Sequence, residues 1–335
     1  MDFDTTSVWA GIIFFAVFMY VVLDGFDLGI GMLYPFVKDR RERDIMMNTV
    51  APIWDGNETW LVLGGEGLLL AFPVAYSIIL SGLYLPLIFM LIGLIFRGVA
   101  FEFRFKANDR ERPIWDLAFI GGSVTAAFFQ GVSLGAFLSG IPVSGRSYAG
   151  GPIDWLAPFP LAAGAGVMIG YTLLGATWLI MKTGGELQQR MIRLARPLGL
   201  LLLAAIAVVS VWTPLSQHQV AERWFSFPNM LMLSPVPLLV VAAIVLLLWS
   251  LKRAPFRLPF VAALALVLLG YIGMAISIWP HIVPPAITIW EAASPPATQR
   301  FALIGTLCVL PLILTYTVWS YYVFRGKVTA DQGYH

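Results

Sequence analysis

The chain has 335 residues, 59% of them hydrophobic and 12% charged, with a net charge of +2 and a mean hydropathy of +0.81. Its charge density is about half that of a soluble domain and its apolar content is well above it, so lipid is the solvent for most of the chain. Cys308 is the only cysteine, which excludes an internal disulfide, a Cys-based zinc site and an iron–sulfur cluster within the chain.

Apolar runs long enough to span a bilayer recur from end to end. The predicted fold is therefore an all-α integral membrane protein of about nine transmembrane helices, a single polytopic domain over residues 1–335. In chain order the predicted spans are 8–35, 51–72, 76–104, 115–139, 158–181, 197–213, 231–251, 258–279 and 301–325. Runs such as 198–211 and 237–249 are continuously apolar, which argues against a barrel of short alternating strands. The acidic start MDFDTTSVW lacks the basic region of a cleaved signal, so the first span is expected to be retained.

Of the 21 Lys and Arg, 17 follow the first, third, fifth, seventh and ninth spans. The opposite loops hold only Arg146, Arg223 and Arg300, and Arg97 alone lies within a span. The positive-inside rule then places the N-terminus outside and the C-terminus in the cytoplasm. This pattern also accounts for the basic residues without a nucleic-acid partner. The outer connections at 140–157, 214–230 and 280–300 are rich in Gly, Pro and Trp and are expected to form ordered lids.

An ionisable group inside a span costs at least about 2.5–3.5 kcal/mol on insertion scales, so each calls for a partner or a use. The first span contains VLDGFDLGIGM, with Asp24 and Asp27 on one face and a Gly25/Gly29 spacing that admits a neighbouring helix. The second opens APIWDGNETW, where Asp55 and Thr59 are four apart and Glu66 follows. The step from Asp55 to Glu66 returns almost to the same face, about 16 Å along the helix. This is a polar stripe entering from the cytoplasm, bordered by Glu58, with Asn57 and Asn48 near its mouth. Carboxylates so spaced suit proton transfer, which makes Asp55, Glu58, Thr59, Glu66, Asp24 and Asp27 candidate pathway residues.

The third span ends FRGVAFEFR. Arg97 stays charged and is expected to pair with Asp24 or Asp27; Arg97 and Glu102 are read as structural ion-pairing residues. Static pairing or helix capping is the competing reading for Asp24, Asp27, Arg97 and Glu102. Asp116, Asp154 and Glu186 read as interface anchors. His218, His281 and His335 lie on outer loops and at the C-terminus, so no histidine pair faces across helices to hold a haem, and no metal site is expected.

VLDGFDLGIGM, NTVAPIWDGNETWLVLGGEGLLLAFP, FRGVAFEFR and TIWEAAS together resemble subunit II of the cytochrome bd ubiquinol oxidases, with WDGNET and the short outer loops closer to the cyanide-insensitive branch. The resemblance covers the chain in helix order. It implies two four-helix bundles plus one extra helix, paired in a heterodimer with a haem-bearing subunit I that carries the quinol site, two b-type haems and haem d. It further implies an electrogenic, non-pumping quinol:oxygen oxidoreductase in the bacterial cytoplasmic membrane, with Asp55 as a proton-pathway residue. No cofactor is then expected on this chain alone, apart from the structural quinone that some members hold, and some complexes add a small single-helix subunit. A proton-coupled secondary transporter and a purely structural assembly subunit are the alternatives.

Overall fold

The computed structural model describes residues 4–253 and 256–329. Asp4 begins the first helix, α1 (Thr5–Leu33), its carboxylate accepting from the Thr6 and Ser7 amides. A 3-10 turn, Tyr34–Phe36, then leads to the short polar helix α2 (Arg40–Asn48), capped by Asp39. The next helices are α3 (Trp54–Ala71), α4 (Pro73–Lys106) and α5 (Arg112–Ser139). Only Phe72 separates α3 from α4, and Pro73 suits a first helical position because its missing N–H would have no intrahelical partner there.

A small antiparallel hairpin, β1 (Val143–Ser144) with β2 (Ser147–Tyr148), turns through Gly145 at φ +61°. Beyond it come α6 (Pro158–Lys182), α7 (Gly185–Ser216), the surface helices α8 (His218–Phe225) and α9 (Asn229–Leu233), α10 (Pro235–Arg253) and α11 (Leu258–Ile278). A second hairpin, β3 (His281–Val283) with β4 (Ile287–Thr288), and the one-turn α12 (Ile289–Ala292) precede the last helix, α13 (Pro296–Val323). The Gly-, Pro- and Trp-rich connections thus contain short hairpins and helices.

The chain is an all-α membrane protein. Among the described residues, eight helices are long and apolar enough to cross a bilayer: α1 with its 3-10 extension, α4, α5, α6, α7, α9 with α10, α11 and α13. The remaining long helix, α3, carries Asp55, Glu58 and Glu66 within its 18 residues. Helix α7 begins at Gly185, well before the apolar run at 197, because the polar segment in front continues the same helix and anchors by Arg190 to Glu42 of α2 at 2.6 Å.

Helices α1, α3, α4 and α5 pack together, as do α6, α7, α10 and α11; α1 and α5 meet α6, and α13 lies against α3 and α1. The crossing of α1 over α6 is set by glycine: a Cβ on Gly29 would lie 1.9 Å from the Tyr171 carbonyl oxygen, and one on Gly175 would lie 2.6 Å from the Gly29 carbonyl carbon. This backbone approach leaves no room for a side chain. It brings Phe26 into a 4.2 Å stack with Trp178, which Tyr321 of α13 meets edge-on.

Candidate proton site and helix face

Asp24 and Asp27 of α1 point into the space between α1, α3 and α4, and both are buried. Arg97 reaches them from α4, fully buried. Its Nη1 donates to Asp24 Oδ1 at 2.5 Å, and its Nη2 donates to Glu58 Oε1. The guanidinium also lies 5.9 Å from the centre of the Trp54 ring. Of the two aspartates expected as its partner, Arg97 therefore takes Asp24, and Glu58 completes the pair.

Asp27 belongs to a second branch. Asn57 Nδ2 donates to Asp27 Oδ2 at 2.7 Å and to the Leu23 carbonyl at 3.2 Å, while Tyr321 O–H donates to Asn57 Oδ1 at 2.9 Å. Asp24 Oδ2, Asp27 Oδ1 and Arg97 Nε are buried without a hydrogen-bond partner. Such atoms are costly in a low-dielectric interior and are places where water or a shared proton is accommodated. One guanidinium thus faces three carboxylates.

Asp55, Thr59 and Glu66 do not join this cluster. All three are exposed, along with Val62 and Leu69, so one continuous face of α3 points away from the rest of the chain. Thr59 Oγ1 reaches only the Asp55 carbonyl of its own helix, at 3.4 Å. Glu58 sits between the two regions: 28% of its side chain is accessible while its carboxylate holds Arg97.

Glu102 lies apart from Arg97. Five residues turn α4 by about 140° net, so Glu102 faces outward and meets Lys106 at 3.8 Å, with both side chains largely exposed.

Three features differ from what the sequence suggests. Asn57 lies inside the cluster, at 1% exposure, not at its mouth. Tyr321 arrives from the far end of the chain, which no local pattern signals. Asp116, expected as an interface anchor, instead accepts from Arg43 at 2.8 Å and from Arg104 at 2.5 Å, while Arg104 also holds Asp44 at 2.6 Å. Opposite charges on either side of the α4–α5 turn are the available clue to that second cluster.

At the other end of the molecule, Thr288 and Glu291 form a capping box. Hydrogen bonds from Thr288 hold the Glu291 carboxyl below its ordinary pKa. The hydrogen bond from Ser7 does the same for Asp4, which also accepts from Trp290 Nε1 at 3.3 Å. Burial, and its hydrogen bond to Asp154, raise the Tyr148 phenol to about 12.

Among the described residues no group of three His, Cys, Asp or Glu could hold a metal ion. His218 is exposed beside Glu222 and His281 lies in the β3 strand, while His335 falls outside the described residues.

Fold and site together define a multi-pass helical membrane protein with a buried ion cluster and an acidic outer helix face. The family model for cytochrome bd terminal oxidase subunit II matches residues 5–324, and the chain belongs to that family. It is a subunit of a bd-type oxidase, an oxidoreductase complex, which sets the transporter alternative aside. It is 31% identical to cytochrome bd-I ubiquinol oxidase subunit 2 of Escherichia coli K12, over 93% of this chain and 92% of that one. Cytochrome bd ubiquinol oxidase subunit 2 of Bacillus subtilis is 29% identical, over 92% and 93%. The bd oxidase structure from Geobacillus thermodenitrificans contains a chain of the same fold, with a TM-score of 0.77 at 15% identity, covering 96% of this chain and 99% of that one.

Proposed function

We propose that this chain is the proton-delivering subunit of a quinol-oxidising, dioxygen-reducing complex, paired with a haem-bearing subunit I that covers the outer face of α3. The observation that carries this reading is the exposure of Asp55, Thr59 and Glu66 on one face of a helix embedded among membrane-spanning neighbours. Two carboxylates on a lipid-facing surface would each cost several kcal/mol. A partner subunit with polar groups or enclosed water opposite them removes that cost.

In this reading α3 is the ninth span beside the eight apolar ones, and the helices form two four-helix bundles with α13 as the extra helix, a single polytopic domain. The basic loops lie in the cytoplasm and the N-terminus lies outside, in a bacterial inner membrane. Helix α3 then starts at the cytoplasmic side. Asp55 collects a proton at its mouth, Thr59 relays it one turn inward, and Glu66 receives it deeper in the membrane. The seven-residue step from Thr59 to Glu66 is about 10 Å along the axis, longer than one hydrogen bond, so water or a partner side chain bridges it. Glu58 links the stripe to Asp24 and Asp27, and the surplus of acids over Arg97 gives that cluster capacity to exchange a proton.

A structural role has its own support for Asp24, Glu58 and Arg97, which are joined directly in ion pairs. Removing Arg97 would leave the buried Asp24 carboxylate uncompensated.

The family implies haems b and d in the complex. The described histidines do not fit a haem here, since neither faces another ligand across the helices, and haem chemistry is therefore assigned to subunit I. Ubiquinol, named for the relatives, is the proposed reductant. The test is gentle purification of the complex with a reduced-minus-oxidised spectrum and quinol-driven oxygen uptake. Haem b and d bands with a larger co-purifying subunit and oxygen consumption are expected. A chain that purifies alone and free of haem would contradict the reading.

A further inference from the structure

At the end of the molecule that carries the basic segments, the turn after α1, helix α2 and the α4–α5 turn enclose a recess of about 480 Å³. Its walls bear five cations, Lys38, Arg40, Arg43, Arg104 and Arg112, against a single carboxylate, Asp116. Asp116 is already shared between Arg43 and Arg104. The flanking acids reduce this excess without removing it, since the five cations face Asp116, Asp44, Asp109 and Asp39. Asp44 holds Arg104 and lies 3.9 Å from Arg112, and Asp109 meets Arg40 at 3.3 Å in an exposed pair. Asp39 caps α2, and Glu42 is engaged by Arg190. Lys38 is exposed and forms no ion pair among the described residues.

The remaining wall is apolar. Leu117 and Ile120 line the recess, and Leu117 and Ile114, one turn apart on α5, are 68% and 64% exposed. The recess thus sits where the Thr5–Phe36 span ends and the Arg112–Ser139 span begins, with fixed guanidinium groups on one side and an exposed apolar helix surface on the other.

We propose that this recess binds the phosphodiester headgroup of an anionic phospholipid, whose acyl chains lie along Ile114 and Leu117 of α5. Guanidinium forks match phosphate oxygens in geometry as well as charge. Arg43 and Arg104 are held in place by Asp116 and Asp44, so they meet the headgroup with little side-chain entropy to lose. Lys38 and Arg112 supply charge at the rim. The apolar strip selects a lipid over a soluble anion, and the cation excess selects an anionic headgroup over a zwitterionic one.

The test uses the whole purified complex, delipidated and then titrated with phosphatidylglycerol or phosphatidylcholine while bound lipid is counted by native mass spectrometry. Phosphatidylglycerol is expected to be retained preferentially. Replacing Lys38→Gln and Arg112→Gln should weaken that retention about fivefold per removed cation and leave phosphatidylcholine unchanged. Millimolar inorganic phosphate should not displace the lipid.

Equal retention of the two lipids, an unaltered double variant, or displacement by phosphate would each overturn the proposal, the last by showing a free-anion site. Should the double variant not assemble, phosphatidylglycerol with a photoreactive headgroup decides the matter on the unaltered complex. Labelling within residues 36–44 or 110–120 supports the site, and labelling only elsewhere refutes it.

Discussion

Arg97 of α4 and Asp24 of α1 meet at 2.5 Å in the protein interior, with side chains 0% and 1% accessible. Two helices far apart in sequence are pinned there by a pair that water does not screen. Breaking a buried pair from one side typically costs about 3–5 kcal/mol, since the other charge remains. Arg97→Leu should therefore sharply reduce the assembled complex recovered from membranes. Asp24→Asn should do less harm, because Glu58 still faces the guanidinium. Size-exclusion recovery of the complex and its thermal midpoint in detergent measure this; equal, near-wild-type recovery for both variants would show that the pair is dispensable.

Gly29 and Gly175 offer a second check, on packing alone. A side chain at Gly29 has nowhere to go but into the α6 backbone. Gly29→Val should destabilise the complex by about 3 kcal/mol or more, at or beyond the upper end of ordinary overpacking costs, because backbone must move. Gly11, on the same helix, serves as control, since a Cβ added there would meet nothing within 4 Å. Gly11→Ala should be neutral or slightly stabilising.

Tyr321 donates to Asn57 across the α3–α13 contact. Tyr321→Phe removes one hydrogen bond and should cost about 1 kcal/mol. Asn57→Leu strips Asp27 of its side-chain donor and should cost more. Thermal unfolding of the two variants ranks them; the reverse order would mean that Asn57 is not the group satisfying Asp27.

At the end of the molecule opposite the basic segments, Asp4 and Glu291 both have carboxyl pKa values held below their ordinary values of 3.8 and 4.5. A lowered folded-state pKa gives stability that is present above the ordinary value and lost as pH falls through the folded one. Amide exchange over residues 287–292, corrected for intrinsic rates, should therefore speed up as pH drops below about 4.5, the ordinary glutamate range. In Glu291→Gln that added acid sensitivity should be much reduced. An equal acid response in the variant would remove Glu291 as its source.

Much of this architecture is legible in the sequence because membranes impose long apolar helices and a one-sided distribution of Lys and Arg. The same logic marks Arg97 as needing an acid partner and places Asp55, Thr59 and Glu66 on one helix face, where the structure has them. Helical periodicity tells which residues share a face, but not what that face meets. Hence the sequence groups Glu102 with Arg97 although it turns outward, and suggests an anchor at Asp116 although Arg43 and Arg104 enclose it. Tyr321 is illegible for a different reason. Its contact with Asn57 joins residues 264 apart in sequence, and only the docking of α13 against α3 creates it.

In the proposed function the exposed face of α3 carries protons to the oxygen-reducing subunit, and Asp55→Asn removes the first carboxylate on that route. Asn keeps the size and hydrogen-bonding capacity of the side chain but neither carries nor releases the proton. Steady-state quinol-driven oxygen uptake should fall by about tenfold or more, up to the roughly 10²–10⁴-fold that a positioned proton-transfer group contributes. The haem spectrum and subunit content of the purified complex should stay unchanged. Wild-type turnover in a fully assembled Asp55→Asn complex would contradict proton delivery along α3 and leave its acidic face with a structural role.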